Sequence, residues 1–329
     1  MKRALETALL GIGVALAALP ARAELTVYIP LGSANTVIAV SASTDHIVRT
    51  FTGVENPHGL VATPDGEYLV AGSISETPLP QGAPADTPNS KLYVIHPVHG
   101  HVMRTIPVPG WTHHQAIMPA GKLVISTHPT RGAISVVDLA ANRVARVVQT
   151  GAAPNYSLVA PGGARVYVSN SGDGTISEVE TTGWTVVRTL AGGASPEHMV
   201  LSADVGLLYV ASGSSGVLSA VSIESGKVVR EFALGKRLHG LDVGDDGRTL
   251  FITVISDEKL VALDPQSGAR REIALAPAPY HLGAIRGAGK LYVSSSQEPR
   301  IWVVDQRSLK VTGAIRLPAG EGHQIGIVR

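Results

Sequence analysis

The sequence predicts an all-β protein: a seven-bladed β-propeller closed by a mixed blade, made of N-terminal outer strands and a C-terminal inner strand. Three observations carry that expectation. A turn glycine recurs at Gly66, Gly121, Gly163, Gly206, Gly247 and Gly289. The residues eight positions earlier are His58, His113, Asn155, His198, His239 and His281, and a seventh copy begins at Gly322-His323 and runs off the C-terminus. The steps between these seven positions are 55, 42, 43, 41, 42 and 42 residues. A period near 42 with about four short strands per unit marks a propeller blade.

The elements follow in chain order. Lys2 and Arg3 precede a short apolar run, Ala8 to Leu19, and Ala21-Arg22-Ala23 fits a small-x-small cleavage site. Residues 1–23 therefore read as a secretion signal, and residues 24–329 as one propeller domain in the periplasm. No second long apolar run follows, so no membrane span is expected in the mature chain. The chain has no cysteine, which excludes disulfides and thiolate ligands. Loss of the leader moves the formal charge from +1 to −1, and no basic run exists. That balance leaves no electrostatic footprint for nucleic acid.

Thr26–Pro30, Thr36–Val40 and His46–Phe51 read as strands two to four of a blade without its first strand, and His323–Val328 as a first strand without the rest. Joining them closes the circle and removes two exposed sheet edges. The unit around His239 shows the internal plan: Gly240–Val243, Thr249–Val254, Lys259–Asp264 and Ala269–Leu275, with a Pro-Gln-Ser-Gly turn before the last strand. The first unit is longer because Ser73–Ser90, rich in Pro, Gly, Ala and Asp, joins its second and third strands. Such a loop is either a surface insertion or a lid over the ring positions.

Val166-Tyr167-Val168-Ser169-Asn170 followed by Gly174-Thr175-Ile176, with its echoes Leu208-Tyr209-Val210 and Leu291-Tyr292-Val293, resembles the repeat of the YVTN-type (YncE-like) propellers. The resemblance spans the mature chain and implies a secreted seven-bladed propeller. It implies no particular chemistry, because propellers host many activities.

The first strand of each blade lines the central channel, so residues at one fixed point of it form a ring. His58, His113, His198, His239, His281 and His323 are expected to converge, with Asn155 completing the circle. His114 and His128 are candidates to join them, and Glu197 and Glu321 could orient the imidazoles. Nitrogen donors without thiolate suit copper or zinc. The competing reading is a histidine copied with the repeat, holding a backbone carbonyl or a channel water. The residues before the ring positions differ from blade to blade, which argues for a demand on the imidazole itself.

The functional expectation is a periplasmic metal-binding protein: a copper or zinc carrier, store or chaperone with the metal ion, and a periplasmic protein, as partners. A metal-dependent enzyme at the same mouth, redox or lactone-hydrolysing, is the alternative, as is a non-catalytic interaction scaffold. A histidine ring on a seven-bladed propeller is similar in architecture to the cluster domain of nitrous oxide reductase. A heme d1 site would want cations for propionates, which the ring positions lack. His96, His99 and His101 read as an exposed hairpin on the opposite face. No Gly-x-Ser-x-Gly elbow, phosphate loop or His-Glu-x-x-His helix occurs. Expressed with its leader in a bacterium, the chain is expected to be recovered starting at Glu24, which N-terminal sequencing of the periplasmic fraction checks.

Overall fold

The structure is a computed structural model that describes residues 25–84 and 86–328. The expected leader, residues 1–23, lies outside the described residues. Seven four-stranded antiparallel sheets are arranged as blades around a central channel. No helix among the described residues is long and apolar enough to cross a membrane.

Six blades are continuous in sequence. Their inner strands are Pro57–Ala62, Gln115–Ile117, Pro154–Val159, Pro196–Leu201, Leu238–Val243 and Pro279–Ile285, here blades 1 to 6. Each is followed by its three outer strands; in blade 5 these are Leu250–Val254, Lys259–Leu263 and Arg270–Ala274, within a residue or two of the sequence expectation. Blade 7 is the mixed one, in the order Gly326–Val328, Thr26–Leu31, Thr36–Ser41, Ile47–Thr52. Thr26 pairs with Val328 and Tyr28 with Gly326, while Leu31 bridges Gly322. The expected first strand at His323–Val328 is therefore broken. His323 keeps one ladder bond, its N–H donating to Pro30 O at 3.0 Å, but the chain bulges before pairing resumes.

That bulge is a property of the fold. Inner strands of blades 1, 3, 4, 5 and 6 all shift register near their start, between Pro57 and Leu60, Pro154 and Ser157, Pro196 and Met199, Leu238 and Leu241, and Pro279 and Leu282. In a regular strand consecutive side chains point to opposite faces. A bulge turns the chain locally and re-aims side chains, so two consecutive residues per blade can face the axis.

Between blades the sheets pack face to face through aliphatic clusters. Leu218 and Ala211 of blade 4 meet Leu238, Leu250 and Ile252 of blade 5, all buried. Ile29, Ile38 and Leu31 of blade 7 meet Tyr292, Ile301 and Val303 of blade 6 in the same way. Only 4% of the residues are aromatic, so these layers are built from Val, Leu, Ile and Ala, which suit a pleated surface.

The long connection after Leu69–Ser73 is tied sideways toward blade 2. Glu76 accepts from the Trp111 N–H at 2.9 Å and from Thr130 Oγ1 at 2.8 Å, and Arg131 stands at 3.6 Å. Asn89 bridges Thr77 O and the Gly110 N–H. None of these bonds reaches a ring histidine; the link to the channel is Trp111, whose ring lies edge-on to His113 at 5.6 Å.

Deleting Gly322–Arg329 is expected to expose the Thr26–Leu31 edge. It should lower the thermal midpoint by roughly 10 °C and cause concentration-dependent association. Calorimetry and light scattering measure both; an unchanged, monomeric product would mean the last strand does not close the ring.

Candidate metal centre

Strand register, rather than glycine spacing, shows which residues are equivalent. The residues one after Pro57, Thr112, Pro154, Pro196, Leu238, Pro279 and Gly322 form an upper tier: His58, His113, Asn155, Glu197, His239, Tyr280 and His323. The next residues form a lower tier: Gly59, His114, Tyr156, His198, Gly240, His281 and Gln324. Hydrogen bonds between blades give the same alignment. Thr127, Ser169 and Thr253 hydroxyls donate to the carbonyls of Asn155, Glu197 and Tyr280 respectively, at 2.9, 2.8 and 2.6 Å.

The expected single ring is thus two tiers, and His198 and His281 belong to the lower one. The reason lies in the turns. The N–H that closes the turn after the inner strand belongs to Gly66, Gly121, Gly163 and Gly247 in four blades, but to Val205 and Ala288 in blades 4 and 6. There the glycine comes one residue later, and Val205 itself adopts the left-handed conformation, φ 58°. Counting back from glycine slips by one. The proline at Pro57, Pro154, Pro196 and Pro279 was the sequence landmark that holds register.

The tiers nevertheless converge. Three groups of imidazoles have ligand nitrogens within 4.8 Å of one another: His58, His113 and His114; His58, His281 and His323; His114, His198 and His281. The last group lies wholly in the lower tier, on alternate blades 2, 4 and 6, with ring centroids 4.9, 5.1 and 5.5 Å apart. Blades 1 and 5 contribute glycine at this level. A Cβ at Gly59 would stand 2.6 Å from His113 O, and one at Gly240 would stand 2.7 Å from Tyr280 O. The neighbouring backbone leaves no room for a side chain there, so two of the seven positions of the lower tier contribute none.

The imidazoles are almost wholly out of solvent: His58, His114, His198, His239, His281 and His323 are between 0% and 6% exposed. Some ring nitrogens hold the backbone. His58 Nδ1 donates to His113 O at 3.0 Å, which leaves Nε2 as a lone pair. His114 Nδ1 lies 3.1 Å from Asn155 O, which can only accept. Among the described residues, four buried ring nitrogens have no partner: His114 Nε2, His198 Nε2, His281 Nδ1 and His323 Nδ1. His239 Nε2 meets His281 Nε2 at 3.4 Å, and its Nδ1 faces Glu197 at 3.6 Å. Glu197 thus serves His239 across the blade boundary and accepts from Asn155 Nδ2 at 2.8 Å; it does not orient its neighbour His198. Glu321 does meet His323, at 3.2 Å.

His128 is not brought to the others. Its Nδ1 donates to Gly110 O at 3.2 Å and its Nε2 accepts from Ser135 Oγ at 2.8 Å, so both nitrogens are spent inside the blade. Two tyrosines absent from the sequence expectation belong to the site. Tyr156 stacks on His198 with centroids 4.6 Å apart, and Tyr280 on His239 at 4.2 Å. Their only sequence signal was their place beside a ring position after proline.

Burial sets the protonation. It pushes His198 down to about 3 and His113 to about 4. Burial lowers His58, His114, His239 and His281 well below the ordinary range as well, with neighbouring imidazoles adding to the effect. These rings are neutral at pH 7 and their lone pairs are available. Burial raises Glu197 to about 7, against the hydrogen bond from Asn155, and the His323 contact holds Glu321 down to about 2.

A cavity of about 680 Å³ reaches the lower tier, with His198 and His281 in its wall. It opens among the turns after the inner strands, at Ala203, Asp245 and Gly287. That is the end opposite the long connection of blade 1, so the approach to the histidines is not the one expected from the sequence.

No family model matches the chain, and no curated protein matches it, so the YVTN-type resemblance stands at the level of the fold. Among solved structures, the chain is similar to the periplasmic gluconolactonase of Pseudomonas aeruginosa, with a TM-score of 0.73 and 17% identity over 93% of this chain and 99% of that one. It is similar to the hydrazine synthase of Kuenenia stuttgartiensis, with a TM-score of 0.66 and 17% identity over 79% and 82%. The dihydro-heme d1 dehydrogenase NirN aligns with a TM-score of 0.66 and 16% identity over 89% and 64%. At these identities the likeness shows the propeller fold and nothing finer.

The depressed histidines make the ion-free protein acid-sensitive. Each folded pKa lies below the unfolded value near 6.5, so the unfolded chain binds more protons in between. The stabilisation is complete above about pH 6.5 and is lost as pH falls, for His113 toward about 4 and for His198 toward about 3. Glu197 opposes this between its ordinary range and about 7 but is a single group. The thermal midpoint should therefore fall steadily from pH 7 to pH 4. The slope should flatten in a His114→Gln/His198→Gln/His281→Gln variant, as calorimetry across pH would show.

Proposed function

We propose that this chain is a periplasmic metal-binding β-propeller that holds copper or zinc in its central channel. His114, His198 and His281 are the principal ligands, and His58, His113 and His323 complete adjoining seats. The observation that carries this reading is the convergence of buried, partnerless ring nitrogens on one axis. An unpartnered buried polar atom costs about 1–3 kcal/mol, and an ion would satisfy several at once. The donor set is neutral nitrogen without sulfur, which favours copper and zinc. Tetrahedral zinc with bonds of 2.0–2.1 Å spaces its ligands roughly 3.3 Å apart, so nitrogens within 4.8 Å close on an ion by small ring movements.

Nearly complete burial favours holding over exchange, hence a carrier or store that a periplasmic partner loads and empties. The leader-like residues 1–23 support that compartment, as does a fold shared with a periplasmic enzyme. A second reading, a metal-dependent enzyme of redox or lactone-hydrolysing type, is favoured by the cavity that reaches His198 and His281. There the imidazoles would fix the ion and leave a position facing the cavity. Propellers similar in fold carry enzymatic names.

Residues 24–329 loaded with Cu(II) or Zn(II) and dialysed should retain stoichiometric metal. His114→Ala/His198→Ala and His281→Ala should lose affinity by roughly 100-fold or more, while His101→Ala on the exposed hairpin should not. Retention should persist at pH 6 and fail toward pH 4, where protons compete for the rings. Metal analysis measures all three, and an absence of tight metal in the wild type ends the proposal. A substrate screen with and without chelator separates the carrier from the enzyme.

A further inference from the structure

The cavity beneath the lower tier has a chemistry of its own. Its walls are mostly aliphatic, with Leu158, Met199, Leu241 and Leu282 among them. A volume of about 680 Å³ is that of a small-molecule site. Its charges are few and unequal: Asp242 and Asp245 against Arg286. Arg286 is already committed. Its Nη2 contacts Asp242 Oδ1 at 2.5 Å, and its Nη1 donates to the carbonyls of Val243 and Gly244. No free cation is left among the lining residues to receive an anion, and the wall carries a net negative charge.

Besides the partnerless His198 Nε2 and His281 Nδ1, the cavity wall carries an unspent hydroxyl. Tyr156 lines the chamber with its ring fixed on His198, and its hydroxyl has no hydrogen-bond partner among the described residues. His114 lies edge-on to the same ring at 5.1 Å. A hydroxyl held rigidly beside two imidazoles and left without a partner is a ready hydrogen-bond donor toward whatever enters.

We infer that this chamber is the ligand-binding site of the channel. It admits, from the inner-turn end, a small uncharged organic molecule with an apolar body and an oxygen acceptor for Tyr156, and it rejects anions. The inference rests on the metal-binding reading only for what the ligand meets at the chamber's end; the chamber's own selectivity is independent of it. An anion entering would lose its hydration beside two carboxylates with no guanidinium to replace it. An apolar body gains from the aliphatic walls.

The test uses methyl isonicotinate, neutral at pH 7, and isonicotinate, its anionic counterpart. Both are titrated calorimetrically into residues 24–329, ion-free and zinc-loaded, with zinc counted on the same samples. In the ion-free protein the ester should bind at least about tenfold more tightly than the anion, and zinc, a dication on neutral imidazoles at the chamber's end, should narrow that gap. Tyr156→Phe keeps the ring and removes the hydroxyl, and should weaken the ester roughly five- to tenfold. Ala203→Trp, on an exposed turn at the rim, should weaken both probes by narrowing the entrance. Thermal midpoints confirm that each variant folds. Anion binding as tight as the ester's in the ion-free protein overturns the inference, as does ester binding indifferent to both variants. A wild type that takes up no zinc ends the metal-binding reading instead, and the chamber is then judged on the ion-free titrations alone.

Discussion

The register shift at the start of the inner strands of blades 1, 3, 4, 5 and 6 is the constraint on which the centre depends. An unbroken strand would send one of two consecutive residues to the axis and its neighbour into a blade interface. In blade 2, whose strand begins only at Gln115, the His113 N–H donates to Thr127 O and the Thr127 N–H to His114 O, so two residues oppose one and both histidines share a grouping with His58. Two tiers of side chains then occupy the channel instead of one. The bulge is paid for by ladder bonds on either side of it, and by hydroxyls of the second strands that donate to the carbonyls it displaces.

Closure holds the tiers at one height. Blade 7 is assembled from both ends of the chain, and Gln324 ties it across the channel. Its Oε1 accepts from the N–H groups of Leu60 and Gln115, and its Nε2 donates to Gln115 O at 2.9 Å. The residue that completes the lower tier thus also connects blade 7 to blades 1 and 2, so the position of His114, next to Gln115, is coupled to the joining of the termini.

The centre is costly without an occupant. Histidine is amphoteric in hydrogen bonding, and the backbone satisfies one nitrogen of several rings, as in His58 to His113 O. The expectation that channel histidines hold carbonyls and the expectation that they bind metal are therefore not exclusive. Holding the carbonyl through Nδ1 fixes the tautomer and leaves Nε2 as the lone pair. Four buried nitrogens without partners, at about 1–3 kcal/mol each, amount to a sizeable part of a typical domain's net stability.

The period near 42, the strand plan of each blade and the joining of the chain ends were all determined by the sequence, because hydrophobic alternation and turn residues are local. So was the convergence of histidines, since a repeat carries equivalent residues to equivalent places around an axis. Their level in the channel was decided only in three dimensions. The turn in blades 4 and 6 places glycine one residue late, and spacing alone cannot tell a slipped landmark from a slipped strand. Tertiary structure also parted His128 from the ring, by giving both its nitrogens partners within the blade. It brought Tyr156, Tyr280 and Gln324 to the axis, and it opened the approach at the inner-turn end. These depend on contacts between blades, which sequence distance does not encode.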